Sequence, residues 1–169
     1  MEPKRVRGLI LGIVLTAAGF YLAASVLSHD RHEGPFADYP PNSTTANICG
    51  TTGAYVSSCA LVLLGWTSLP VAALIVVAGA YVLLGRKPPG LAGKATGAAV
   101  GLLALTIALG LPHLSASGAG GGSWSLGGAS SGVIGMLLTR WLYGQVGWAG
   151  TLTVLVVLGA VCALLLVPQ

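Results

Sequence analysis

Apolar residues gather into four long runs, separated by polar or glycine-rich stretches. The first run covers about Gly8 to Leu27. Twenty helical residues rise about 30 Å, one hydrocarbon thickness. The second covers about Gly53 to Leu84. As one straight helix it would reach about 48 Å, more than a bilayer needs. Pro70 lies near its middle and removes one backbone hydrogen bond, which predicts a kink there. Splitting the run into two spans would leave each half too short. The third run covers about Ala95 to Leu114 and the fourth about Trp148 to Val167. The pattern predicts an all-α integral membrane fold with four transmembrane helices, in one domain over residues 1–169.

A shorter pattern precedes the fourth run. From Ser130, apolar residues fall at Ile134, Leu137, Leu138 and Trp141, one face of a helix. Gly132, Gly135 and Thr139 form a smaller face. Ser130 or Ser131 suits an N-cap. A helix over about 130–143 is too short to span, so the reading is a segment lying on the outer interface or dipping into it. Trp141, Tyr143 and Trp148 cluster as aromatic residues do at the headgroup level. Arg140 can snorkel toward water.

Glycine spacing marks candidate helix contacts. Gly93, Gly97 and Gly101 are four apart, as are Gly8 and Gly12. In lipid, small residues let helix backbones approach closely. Gly132 and Gly135 join them as packing candidates.

Composition agrees with the pattern. Hydrophobic residues make up 54% of the chain and charged residues only 7%. A soluble domain carries about 25% charged residues, so this chain lacks the means to solvate a surface. The net charge of +4 is scattered and carries no nucleic-acid signal. It carries a topology signal instead. Lys4, Arg5 and Arg7 precede the first run, and Arg86, Lys87 and Lys94 lie between the second and third. The remaining basic residues are Arg31 and Arg140. The asymmetry predicts the N-terminus and the second loop on the cytoplasmic side, and four spans return the C-terminus there. Loop one, Ser28 to Thr52, is polar with Pro35, Pro40 and Pro41, and its Asn42-Ser43-Thr44 forms a glycosylation sequon on the outer side. Loop three, Ser115 to Gly127, is Gly/Ser/Ala-rich and reads as flexible.

Candidate chemistry is sparse. Cys49, Cys59 and Cys162 form neither an even framework nor a C-x-x-C. His29 and His32 beside Asp30 and Glu33 suggest a weak metal site, but a polar membrane-exit loop accounts for them. Gly128-Ala129-Ser130-Ser131-Gly132 fits G-x-S-x-G, yet no strand precedes it and no acidic residue or histidine follows it. Gly93-Lys94-Ala95-Thr96 mimics a P-loop end, but Pro88 and Ala95 occupy positions that need Gly and Ser/Thr. No catalytic, cofactor or metal residue is predicted. A small four-span transporter or channel subunit is the alternative class. It is disfavoured because no Asp, Glu, Lys or Arg falls within the four spans.

Asn47-x-x-Gly50-x-x-Gly53-Ala54-Tyr55 opens the second run, which continues through Leu64-Gly65 and Leu69-Pro70. Ser131-Gly132-Val133-Ile134-Gly135 comes before the last span. In order and spacing these motifs resemble the N-terminal four-helix membrane domain of the FtsK/SpoIIIE family of bacterial DNA translocases. In that domain an N-x-x-G-x-x-G-A motif opens the second helix and a G-G-V-I-G-like motif begins a short helix before the fourth. Here Ser131 replaces the first glycine of the latter. The resemblance implies a role in cell division and chromosome partition at the septum of the inner membrane. It also implies self-association and contacts with other division-site membrane proteins. ATP with Mg, and DNA, are implied only for the family's motor, so this chain would supply the lipid-embedded anchor.

Overall fold

The computed structural model describes residues 3–85, 91–116 and 130–166. Among them every regular element is helical. Helix α1 spans Pro3–Leu27, α2 Gly50–Leu64, α3 Ser68–Leu83, α4 Leu91–Ala116 and α5 Gly132–Leu166, with a short 3-10 turn at Gly65–Thr67. Among the described residues four stretches are long and apolar enough to cross a membrane: Arg5–Leu27, Gly50–Leu83, Gly93–Pro112 and Gly132–Leu165. The third loop from residue 117 on and the Arg86-Lys87 pair lie outside the described residues; its first two residues, Ser115 and Ala116, end α4.

Burial is inverted relative to a soluble protein. The fully buried positions include Ser25, Ser57, Ser68, Ser131, Thr67, Thr139 and Thr151, whereas Ile10, Ile13, Phe20, Leu27, Val156 and Leu164 are exposed. In water that arrangement would waste the hydrophobic effect. In lipid, where tails solvate apolar side chains, helix contacts instead use small residues and short polar side chains.

The expected kink at Pro70 is corrected. The break lies at Gly65, whose φ of 61 is left-handed and cheap only for glycine. Pro70 is the third residue of α3. The first four N–H groups of a helix have no intrahelical acceptor, so a proline there costs no bond. A second break interrupts α5 at Gly147, with φ 67 and ψ −172. The pieces either side are residues 132–146 and 148–166.

The chain forms two compact units, one of Met1–Ala60 with Ser68–Leu91, the other of Leu61–Thr67 with Ala92–Gln169. In the first unit α1 packs antiparallel on α3. Where a Cβ would stand, Gly12 meets Leu83, Gly79 meets Thr16, and Gly19 meets Val76 and the Ala72 carbonyl. The start of α2 lies along the end of α1 in the same sense: Cys49 Sγ faces the Tyr21 carbonyl, Gly53 faces Ser25, and Ser57 bonds His29. Since α3 opposes α1 and α2 follows it, the chain turns back between α2 and α3.

In the second unit the first piece of α5 likewise follows α4. Gly135 meets Thr106 and Gly110 meets Thr139. The Thr139 hydroxyl donates to both Gly135 O at 2.7 Å and Ile107 O at 3.3 Å. The later piece returns, because Gly101 meets Cys162 Sγ at 2.8 Å from its notional Cβ.

Candidate functional site

Two polar nodes sit where helices begin and end. The first is centred on Asn47, only 5% exposed. Its amide nitrogen donates to Ser25 O at 2.9 Å and Ser28 O at 3.3 Å. These belong to the last turn of α1 and the residue after it, where helix carbonyls lack partners. Its amide oxygen accepts from Cys49 N at 3.0 Å, and its carbonyl accepts from Gly50 N at 2.8 Å. One side chain thus closes α1 and opens α2. That explains the residue type: aspartate has no donor, and leucine has neither function.

The remaining motif positions follow from that lock. Gly50 has φ 68. A Cβ on Gly53 would stand 2.4 Å from Asn47 Oδ1 and 2.4 Å from Cys49 Cβ. Ala54 is buried, and its carbonyl lies 2.9 Å from the notional Cβ of Gly34. N-x-x-G-x-x-G-A is therefore a packing requirement at the α1–α2 junction. Pro70 lies outside this node, in the first turn of α3.

Loop one is folded onto the same node. The buried Glu33 carboxylate accepts from the backbone N–H of Ala46 and from Asn47 N at 3.3 Å. Ser58 Oγ donates to Glu33 O at 3.1 Å. The Ser28 hydroxyl donates to Ala24 O at 2.7 Å and accepts from Ile48 N at 3.2 Å. His29 Nδ1 pairs with Ser57 Oγ at 3.0 Å. Burial above all holds the His29 imidazole below its ordinary pKa. Asp30 and Glu33 oppose that shift, and Arg31 adds to it. Asp30 accepts from His32 N at 2.9 Å and from Asn42 Nδ2 at 3.3 Å. The His32 N–H is the main cause that keeps its carboxyl below the usual range; desolvation opposes it and the Asn42 amide assists. No group of three or more His, Cys, Asp or Glu able to hold a metal occurs among the described residues.

The second node joins Leu63–Trp66 to Ser130–Gly132. Trp66 N donates to Ser130 O at 2.9 Å, and Ser130 Oγ donates to Leu109 O of α4 at 2.9 Å. Gly65 and Gly132 touch backbone to backbone. A Cβ on Gly65 would lie 2.5 Å from Gly132 N, and one on Gly132 would lie 2.4 Å from Gly65 N. Both are left-handed, at φ 61 and φ 65. Ser131 Oγ is buried with no hydrogen-bond partner among the described residues. The Ser130 hydroxyl thus ties two helices together, a contact the N-cap reading did not contain. Gly128 and Ala129 of the G-x-S-x-G stretch lie outside the described residues. Gly93-Lys94-Ala95-Thr96 forms part of the opening of α4 and is helical, not a phosphate-binding loop.

The candidate packing glycines divide. Gly12, Gly101, Gly132 and Gly135 each meet another part of the chain, and Gly97 is buried. Gly8 and Gly93 have nothing within 4 Å of a notional Cβ among the described residues. Sequence spacing missed Gly19, Gly79 and Gly110. Gly12, Thr16 and Gly19 do share a face at spacings of four and three, which was the available signal.

A family model described as the 4TM region of DNA translocase FtsK/SpoIIIE matches residues 4–168. No curated protein and no solved structure matches the chain.

Proposed function

The chain belongs to the FtsK/SpoIIIE 4TM family, and from that premise we propose that it is the membrane anchor of an FtsK-type DNA translocase. In this reading it holds the translocase at the division septum of the bacterial inner membrane, for cell division and chromosome segregation. Both termini lie in the cytoplasm, and the segment 130–143 lies at the outer surface or dips into it. The work is localisation and assembly. Tethering several subunits in one membrane raises their effective concentration, which favours ring formation. Self-association and other division-site membrane proteins are the partners. DNA, ATP and Mg belong to the motor of the family.

The observation that carries the proposal is the extent of the match, residues 4–168, together with the physical sense of its motif at Asn47, Gly50, Gly53 and Ala54. The test is to image a fluorescent fusion of residues 1–169 in dividing bacteria. The expected result is a band at mid-cell. Uniform fluorescence around the cell envelope would overturn septal targeting.

A further inference from the structure

The two halves of the chain share a pattern that their sequences barely advertise. Helix α2 opens at Gly50, has Gly53 three residues on, and breaks at Gly65 followed by Trp66. Helix α5 opens at Gly132, has Gly135 three residues on, and breaks at Gly147 followed by Trp148. The spacings are identical. Backbone conformation repeats as well, with φ of 68 and 61 at Gly50 and Gly65, and 65 and 67 at Gly132 and Gly147. Ser57 and Thr139, fully buried, stand at matching positions. So do the contacts: Gly53 meets Ser25 of α1, and Gly135 meets Thr106 of α4.

Each half is then a long helix, an arm that follows it, a Gly-Trp break and a return helix. Length decides where the break belongs. Gly50–Leu83 and Gly132–Leu165 each contain 34 residues. As straight helices they would be about 51 Å long, some 20 Å beyond the hydrocarbon core. That excess is about the length of one arm; Gly50–Leu64 has 15 residues. The helix register agrees. Gly12, Thr16 and Gly19 oppose Leu83, Gly79 and Val76. Carried on, that register sets Ser68 opposite Leu27, the last residue of α1. In the second half, Gly101 opposes Cys162, which carried on sets Gly147 opposite Ala116, the last residue of α4. Ser68, which opens α3 just after the first break, and Gly147, at the second, therefore each fall level with the end of the preceding span. Both tryptophans are exposed, Trp66 at 54% and Trp148 at 60%.

We propose that the chain is an internal duplication, and that Trp66 and Trp148 are equivalent contacts with the lipid headgroup layer, each fixing the outer end of a return span. Indole prefers that layer because its ring is apolar and its N–H seeks a polar partner. The arm on the protein side of each break uses its small face against the long helix. Gly53, Ala54, Ser57 and Ser58 are buried in α2, while Tyr55, Val56 and Leu63 are exposed. Those exposed side chains are mainly apolar, like the exposed side chains of the spans, so lipid is the occupant that fits the arm. The inference rests on the membrane reading above and extends it, because α2 becomes the first-half counterpart of the 132–146 segment.

The rival geometry makes an opposite statement. Were Gly50–Leu83 and Gly132–Leu165 each one continuous span, Trp66 and Trp148 would sit at their midpoints, in the centre of the bilayer. The experiment uses the full chain in phosphatidylcholine vesicles, with phenylalanine at three of the four tryptophans so that only Trp66 or only Trp148 remains. A third variant replaces all four and carries Leu74→Trp, in the middle of α3. Fluorescence is read with lipids brominated near the headgroup end or near the methyl end of the acyl chain. Trp66 and Trp148 should lose more fluorescence to the shallow bromines, and the Leu74→Trp reporter more to the deep ones. Deep quenching at both Trp66 and Trp148 would overturn the headgroup placement, and deep quenching at only one would overturn the equivalence of the two halves. No quenching at the Leu74→Trp reporter by either lipid would overturn the membrane reading itself, a different failure.

Discussion

At the residue scale, Asn47 has the most at stake. Its amide makes two donor contacts and one acceptor contact in a nearly sealed site. Leaving buried partners unsatisfied costs about 1–3 kcal/mol. Asn47→Leu should therefore lower thermal stability in detergent markedly, and Asn47→Asp should do so too, because it loses the donor. Ser130→Ala removes the hydrogen bond to Leu109 O and should cost about 1 kcal/mol. A serine-directed activity probe should fail to label the protein; labelling that disappears in Ser130→Ala would restore the hydrolase reading. His29 supplies a pH signature. Its folded pKa is lowered by burial, so between that value and the ordinary 6.5 the unfolded chain binds more protons. Stability is then full above pH 6.5 and falls as pH drops through the folded pKa. His29→Gln should flatten that acid-side loss in a melting series against pH; an unchanged slope would show that another group is responsible.

At the element scale, the number and composition of the long helices were legible, because a bilayer leaves little choice of length and polarity. The position of the break in the second run was not. Proline is the louder sequence signal, yet Pro70 falls in the first turn of α3, and the turn belongs to Gly65, one glycine among 26 in the chain. Packing glycines were half legible for a related reason. Spacing of four picks out a face, but only a partner helix turns a face into a contact. Gly93 keeps the spacing and meets nothing among the described residues; Gly79 lacks it and would put a Cβ 2.6 Å from Thr16 N. The expected outcome is that Gly79→Leu disrupts the α1–α3 pair and lowers the melting temperature, while Gly93→Leu changes it little. Similar losses for both would show that the closeness at Gly79 is not what holds the pair.

At the scale of the whole molecule, the inverted burial ties sequence to environment: serines and threonines inside, isoleucine and phenylalanine outside. The Asn47 node could be read from sequence only through the family resemblance. A buried amide that serves two helix ends has no local periodicity, since Ser25 and Ser28 are far from it along the chain. The Gly-Trp repeat is faint in the sequence because the residues between its fixed points differ, as with Ala54 and Met136.

The proposed anchor has its C-terminus in the cytoplasm, where a motor could act on DNA. Reporter fusions active only outside the cytoplasm test it most directly. Fusions after Asn42 and after Gly121 should be active, and those after Lys87 and after Gln169 silent. Activity at Gln169 would mean an odd number of crossings and would contradict the account.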